Sequence, residues 1–157
     1  MMKYIISKTR IIGIIIMLVV FVYSCDNNKL KEMPLEKFEG VWRMDGREIF
    51  DGMQIKIEEN SKGKLTGKVV GLNDNKYVNI FVDINDTWIT GIKRTSNYEF
   101  VLTEKKIGSE LFSLYDLETK KNYKVEFIDE NTFGLGSEES NPKETDVKYI
   151  RVNIDES

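Results

Sequence analysis

The chain has no histidine, one cysteine and two prolines in 157 residues. Without histidine there is no Ser-His-Asp triad, no Cys-His dyad and no imidazole to hold a metal. A single cysteine cannot close an internal disulfide or build a thiolate cluster for zinc. Long apolar runs are also scarce, and the one that exists is Ile11 to Val22. What remains is ordinary: 41% hydrophobic residues, enough for a core, in a length that suits one domain.

The apolar run follows Lys3, Lys8 and Arg10, and residues 1–24 contain no acid. Its 12 residues would reach about 18 Å as a helix, short of a bilayer core of about 30 Å. A basic start and a short apolar stretch read as a secretory signal over 1–24. The competing reading is an uncleaved membrane helix with a free cysteine at its end. Val22-Tyr23-Ser24-Cys25 resembles the lipobox of bacterial lipoproteins, with Val22, Ser24 and Cys25 at the matching positions and Tyr23 bulkier than usual. That resemblance implies cleavage before Cys25, acylation of its thiol by palmitate-type chains, and a place in the bacterial cell envelope. Asp26 resembles either an inner-membrane retention signal or part of a surface-export signal, and both stay open. Losing three cations with residues 1–24 takes the net charge from −3 to −6. An acidic domain argues against nucleic acid and against docking on anionic headgroups, so attachment falls to the acyl chains.

Residues 25–37 are polar, contain Pro34, and read as a tether, with one helical turn expected near Leu35 to Phe38. From there to residue 154 the apolar period is two. Gly40, Trp42 and Met44 share a face, as do Met53, Ile55 and Ile57; Leu65, Gly67 and Val69; and Trp88, Thr90 and Ile92. Tyr98, Phe100 and Leu102 follow, then Phe112 and Leu114; Tyr123, Val125 and Phe127; Phe133 and Leu135; and Val147, Tyr149 and Arg151. Turn clusters such as Asp51-Gly52, Ser61-Lys62-Gly63 and Ile107-Gly108 separate them. The expected fold is all-β, an antiparallel up-and-down barrel of eight or nine strands. Tyr77 to Ile84 is open between helix, lid and strand. Phe38-Glu39-Gly40-Val41-Trp42 resembles the Gly-x-Trp opening of lipocalin-like (calycin) barrels. The resemblance implies that Gly40 bends the chain into the first strand. It also implies that Trp42 plugs the closed end and that Arg151, from the last strand, packs over it.

Trp88, Tyr98, Phe100, Phe112, Tyr123 and Phe127 fall on the expected inward faces. They would line a cavity for an apolar or amphipathic ligand, or else fill the bore, because eight strands enclose little more than their own side chains. Glu58 and Glu59, adjacent on a strand, point to opposite faces and cannot share a cleft. The calcium-loop echo beginning at Asp83 has Trp88 where glycine is required, so no metal site is expected. No cofactor or catalytic role is expected either. The two functions in view are a membrane-anchored binder of a small apolar molecule and an envelope protein–protein interaction module with a filled barrel. Cys25→Ser is expected to abolish acylation and release the protein from membranes. Metabolic labelling with an alkynyl palmitate, followed by fractionation, checks it, and unchanged attachment would point to a plain membrane helix.

Overall fold

The computed structural model describes residues 33–152, with the backbone alone for residues 110 and 111. The signal segment 1–24, Cys25 and residues 26–32 lie outside the described residues, as do 153–157. Eight strands form one closed antiparallel barrel in sequence order: β1 (Gly40–Asp45), β2 (Gln54–Glu59), β3 (Leu65–Gly71), β4 (Thr87–Arg94), β5 (Phe100–Lys105), β6 (Lys120–Phe127), β7 (Thr132–Gly136) and β8 (Lys148–Arg151). Closure comes from β1 pairing with β8, Trp42 opposite Arg151 and Met44 opposite Tyr149. This is the up-and-down barrel expected from the period-two pattern, at eight strands.

Alternation puts one face of each strand inward. Trp42 and Met44, Ile55 and Ile57, Phe100 and Leu102, Val125 and Phe127, and Phe133 are all buried. Gly67 is the small residue among them. A methyl there would come within 2.9 Å of both Ile55 and Ile89, so its absence lets the two isoleucines meet across β3. β4 breaks the rule. Its register slips twice, leaving Trp88 and then Thr90 as extra residues between pairs. Ile89 consequently joins Trp88 and Ile92 among the buried residues, Ile89 opposite Glu104 and Ile92 opposite Leu102, and of the expected set Trp88, Thr90, Ile92 it is Thr90 that drops out. Such bulges twist and re-aim a strand, which bare alternation cannot foresee.

The two ends of the barrel differ. At one end a 3-10 turn, Leu35–Phe38, drives Phe38 into the bore. Phe38 meets Phe100, Phe127 and Phe133 at centroid distances of 4.9, 4.7 and 5.2 Å, and Trp42 meets Phe133 at 4.7 Å. The Trp42 indole donates to the Phe38 carbonyl at 2.7 Å. Arg151 lies 4.2 Å over the Trp42 ring and donates to the carbonyls of Glu39 and Lys37, at 2.7 and 2.6 Å. Gly40, at φ 126°, gives that guanidinium room; a Cβ would sit 2.6 Å from Arg151 Nη1. Gly40, Trp42 and Arg151 are thus together, as the lipocalin-like resemblance implied. Met33 joins the same end, its N–H on the Asn97 carbonyl and its carbonyl on Arg94.

The other end receives the β1–β2, β3–β4, β5–β6 and β7–β8 connections. Two short helices sit in them: α1 (Lys76–Phe81) and α2 (Ser109–Leu114). The open stretch Tyr77 to Ile84 is therefore mostly helix, started by the Asn75 side chain, which accepts from the N–H groups of Tyr77 and Val78. Helix α2 corrects the strand expected through Phe112 and Leu114. Gly108, in the left-handed region at φ 69°, turns the chain out of the β5 direction and into a helix.

Phe38→Ala removes the ring on which the closed end is packed and is expected to destabilise the barrel by about 3–5 kcal/mol. Ile128→Ala, at a side chain 38% exposed, is expected to stay within about 0.5 kcal/mol. Urea midpoints of the two variants check the contrast.

Candidate functional site

The β1–β2 connection folds back over the bore. The Arg47 N–H bonds the Asp51 carboxylate at 2.6 Å, and the 3-10 turn Glu48–Phe50 between them brings Phe50 onto Trp88, centroids 5.1 Å apart. Asn73, beyond β3, ties the same loop by donating to the carbonyls of Ile49 and Asp51. With its backbone fixed, Arg47 points its side chain down into the barrel.

There it joins a polar group set across the bore. Arg47 Nη1 is 2.7 Å from Glu104 Oε2, and Nη2 donates to the Tyr123 hydroxyl. The other Glu104 oxygen accepts from the Tyr149 hydroxyl at 2.7 Å, and that hydroxyl accepts from the Trp88 indole at 3.0 Å. Five side chains from β4, β5, β6, β8 and one loop thus close a single network. The side chain of Glu104 is only 5% exposed and that of Arg47 17%. A buried pair of this kind roughly balances desolvation while both partners stand, and costs about 3–5 kcal/mol when one is removed. Among the described residues, no buried side-chain polar atom lacks a partner.

Electrostatics follow from that burial. Desolvation works against the Arg47 cation, but the Glu104 carboxylate and the neighbouring phenols outweigh it and raise its pKa above the usual value. Burial pushes the Tyr149 phenol well above its ordinary 10.0, and the Glu104 charge adds to this while Arg47 opposes it.

Above the network the bore is not filled. A cavity of about 430 Å³ opens toward the loops, its wall formed by Phe50, Val78, Phe81, Trp88 and Ile107 and its floor by Arg47, Glu104 and Tyr123. This lies within the usual range for small-molecule sites, about 300–1,000 Å³, and shares their make-up of apolar walls with a few convergent polar groups.

Of the six aromatic residues expected to line a cavity, the structure brings only Trp88 and Tyr123 to this one. Phe100 and Phe127 belong to the packed end, against Phe38. Tyr98 sits in the turn before β5, 40% exposed, where Ser96 accepts from its N–H. Phe112 is half-buried on α2 and forms no part of the cavity wall. Sequence reasoning missed Arg47, Phe50, Val78, Glu104 and Ile107. Glu104 carried a signal, an acid two residues beyond Leu102 on the same inward face. The others come from connections, where no period applies.

No family model matches the chain, and no curated protein or solved structure matches it.

A phenol whose folded pKa lies above its unfolded one adds stability that is complete below about pH 10 and is lost as pH rises toward the folded value. The wild-type urea midpoint is therefore expected to fall between about pH 9 and 11, by at most about 1.4 kcal/mol per pH unit from this group. Tyr149→Phe should start lower, having left Trp88 and Glu104 each one partner short, and show a flatter decline over that range.

Proposed function

We propose that the protein is a bacterial envelope lipoprotein, held to a membrane by acyl chains on Cys25, whose barrel binds a small apolar or amphipathic molecule in its open half. The anchor rests on the order of Lys3, Lys8 and Arg10, the run Ile11 to Val22, and the lone cysteine directly after Ser24. The binding reading rests on one observation, the cavity of about 430 Å³ in a barrel otherwise packed with its own side chains. A non-catalytic role fits the side chains at hand. The floor acid Glu104 is bonded through both oxygens, and the chain has no histidine to work beside it.

A second reading, a docking module for another envelope protein, draws on the exposed apolar residues of the same end. Tyr77 and Ile80 on α1, and Leu114 and Tyr115 at the end of α2, are each about 70% exposed or more. Crosslinking in cells that captured one defined partner through these residues, with the cavity vacant, would favour it.

Native mass spectrometry of the full chain extracted from membranes tests the binding reading. A small molecule is expected to stay bound beyond the mass of the acylated chain. A bare chain, still bare after incubation with single-chain amphiphiles, would remove the reading.

A further inference from the structure

The charged residues lining the cavity are Arg47, Lys105, Lys106, Lys121 and Glu104. Four cations and one acid reach the cavity, and the acids Glu118, Glu138 and Glu139 line the hollow on the other side of Lys121. Glu104 is already matched by Arg47, and Lys105 has a partner of its own. Lys106 has Glu118 at 3.0 Å. Lys121 differs. Its Nζ rests 4.9 Å from the centroid of the Tyr123 ring, and among the described residues it forms no ion pair.

Lys121 and Tyr123 are two apart on β6 and so share its inward face, where Lys121 stands directly opposite Glu104 and Tyr123 opposite Leu102. The Tyr123 oxygen accepts from Arg47, which leaves the phenol's own proton without an acceptor among the described residues. An ammonium and a hydroxyl proton therefore converge at the mouth, with a guanidinium behind them, facing an apolar wall of Phe50, Val78 and Trp88.

We infer that the cavity takes a single-chain amphiphile with an anionic head, the head held by Lys121 Nζ and the Tyr123 hydroxyl and the tail lying against Phe50, Val78 and Trp88. This deepens the binding reading above and rests on it. A cationic head would oppose the exposed Lys121 charge and a neutral one would gain nothing from it, whereas a carboxylate, sulfate or phosphate ester matches it and accepts from Tyr123.

Photoaffinity labelling of the full chain in amphipol separates the two levels. The probes are decanoate, decanol and decyltrimethylammonium, each with a diazirine in the tail, and labelled peptides are mapped by mass spectrometry. The decanoate probe is expected to mark the segments holding Phe50 and Trp88 most strongly. Lys121→Gln should lower that labelling about fivefold, as the loss of one partly exposed charge contact does. Tyr123→Phe, which keeps the ring, should lower it too, raised salt should act in the same direction, and Lys68→Gln on the outer face of β3 should change nothing. Decanol labelling should be the same in Lys121→Gln and in Lys68→Gln as in the wild type. Equal labelling by the three heads, or an equal loss of decanol and decanoate labelling in Lys121→Gln, overturns the head-group assignment and leaves the cavity reading standing. No labelling of the cavity by any probe removes both.

Discussion

An eight-stranded barrel encloses a bore barely wider than the side chains that point into it. What such a barrel can do depends on how far along the bore those side chains reach. Here they fill it from the Phe38 plug as far as Met44, Leu102 and Tyr149, and then stop at a charged and hydrogen-bonded group. Arg47, Glu104, Tyr149, Trp88 and Tyr123 tie four strands and a loop together at one level. An apolar layer of the same volume would cost less to bury and could pack upward. A network whose atoms must keep their partners cannot slide along the bore, so the space above it stays open and its lower boundary stays fixed.

The packed end works by the opposite logic. Phe38, Phe100, Phe127 and Phe133 meet edge to face or tilted, arrangements that aromatic quadrupoles favour, and Arg151 covers the Trp42 ring while satisfying two carbonyls of the plug. The aromatic packing is concentrated at the end away from the cavity. The loops at the other end send Val78 and Val82 into the core but leave Ile80, Phe81 and Leu114 exposed. This division lets a mouth carry apolar residues in water without putting the barrel itself at risk.

Much of the fold was legible in the sequence because a barrel writes its inward face with a period of two. The sets Trp42–Met44, Ile55–Ile57, Leu65–Val69 and Val125–Phe127 came out as expected, as did the trio Gly40, Trp42 and Arg151. The failures have particular causes. In β4 two extra residues bring Ile89 inward beside Trp88 and Ile92 and take Thr90 out of the set, and bulges leave no mark in hydropathy. Phe112 and Leu114, two apart, imitate a strand inside a helix only six residues long. The cavity was harder still. Four of the six aromatics read as its lining lie elsewhere, because inward-facing does not say at which height along the bore a residue falls. Arg47 and Phe50 reach the site through a folded-back loop whose path is set by Asp51 and Asn73, contacts that exist only in three dimensions.

The seam between β1 and β8 carries one further consequence, for how the barrel comes into being. It joins the two strands farthest apart along the chain, so loop closure makes it the most entropically demanding pairing in the sheet. Until β8 has emerged from the ribosome or from a translocation pore, β1 and β7 stand as open edges offering their N–H and C=O groups to any strand nearby. The same closure that leaves the finished barrel without an edge makes its last four-residue strand, Lys148–Arg151, the step on which escape from aggregation depends.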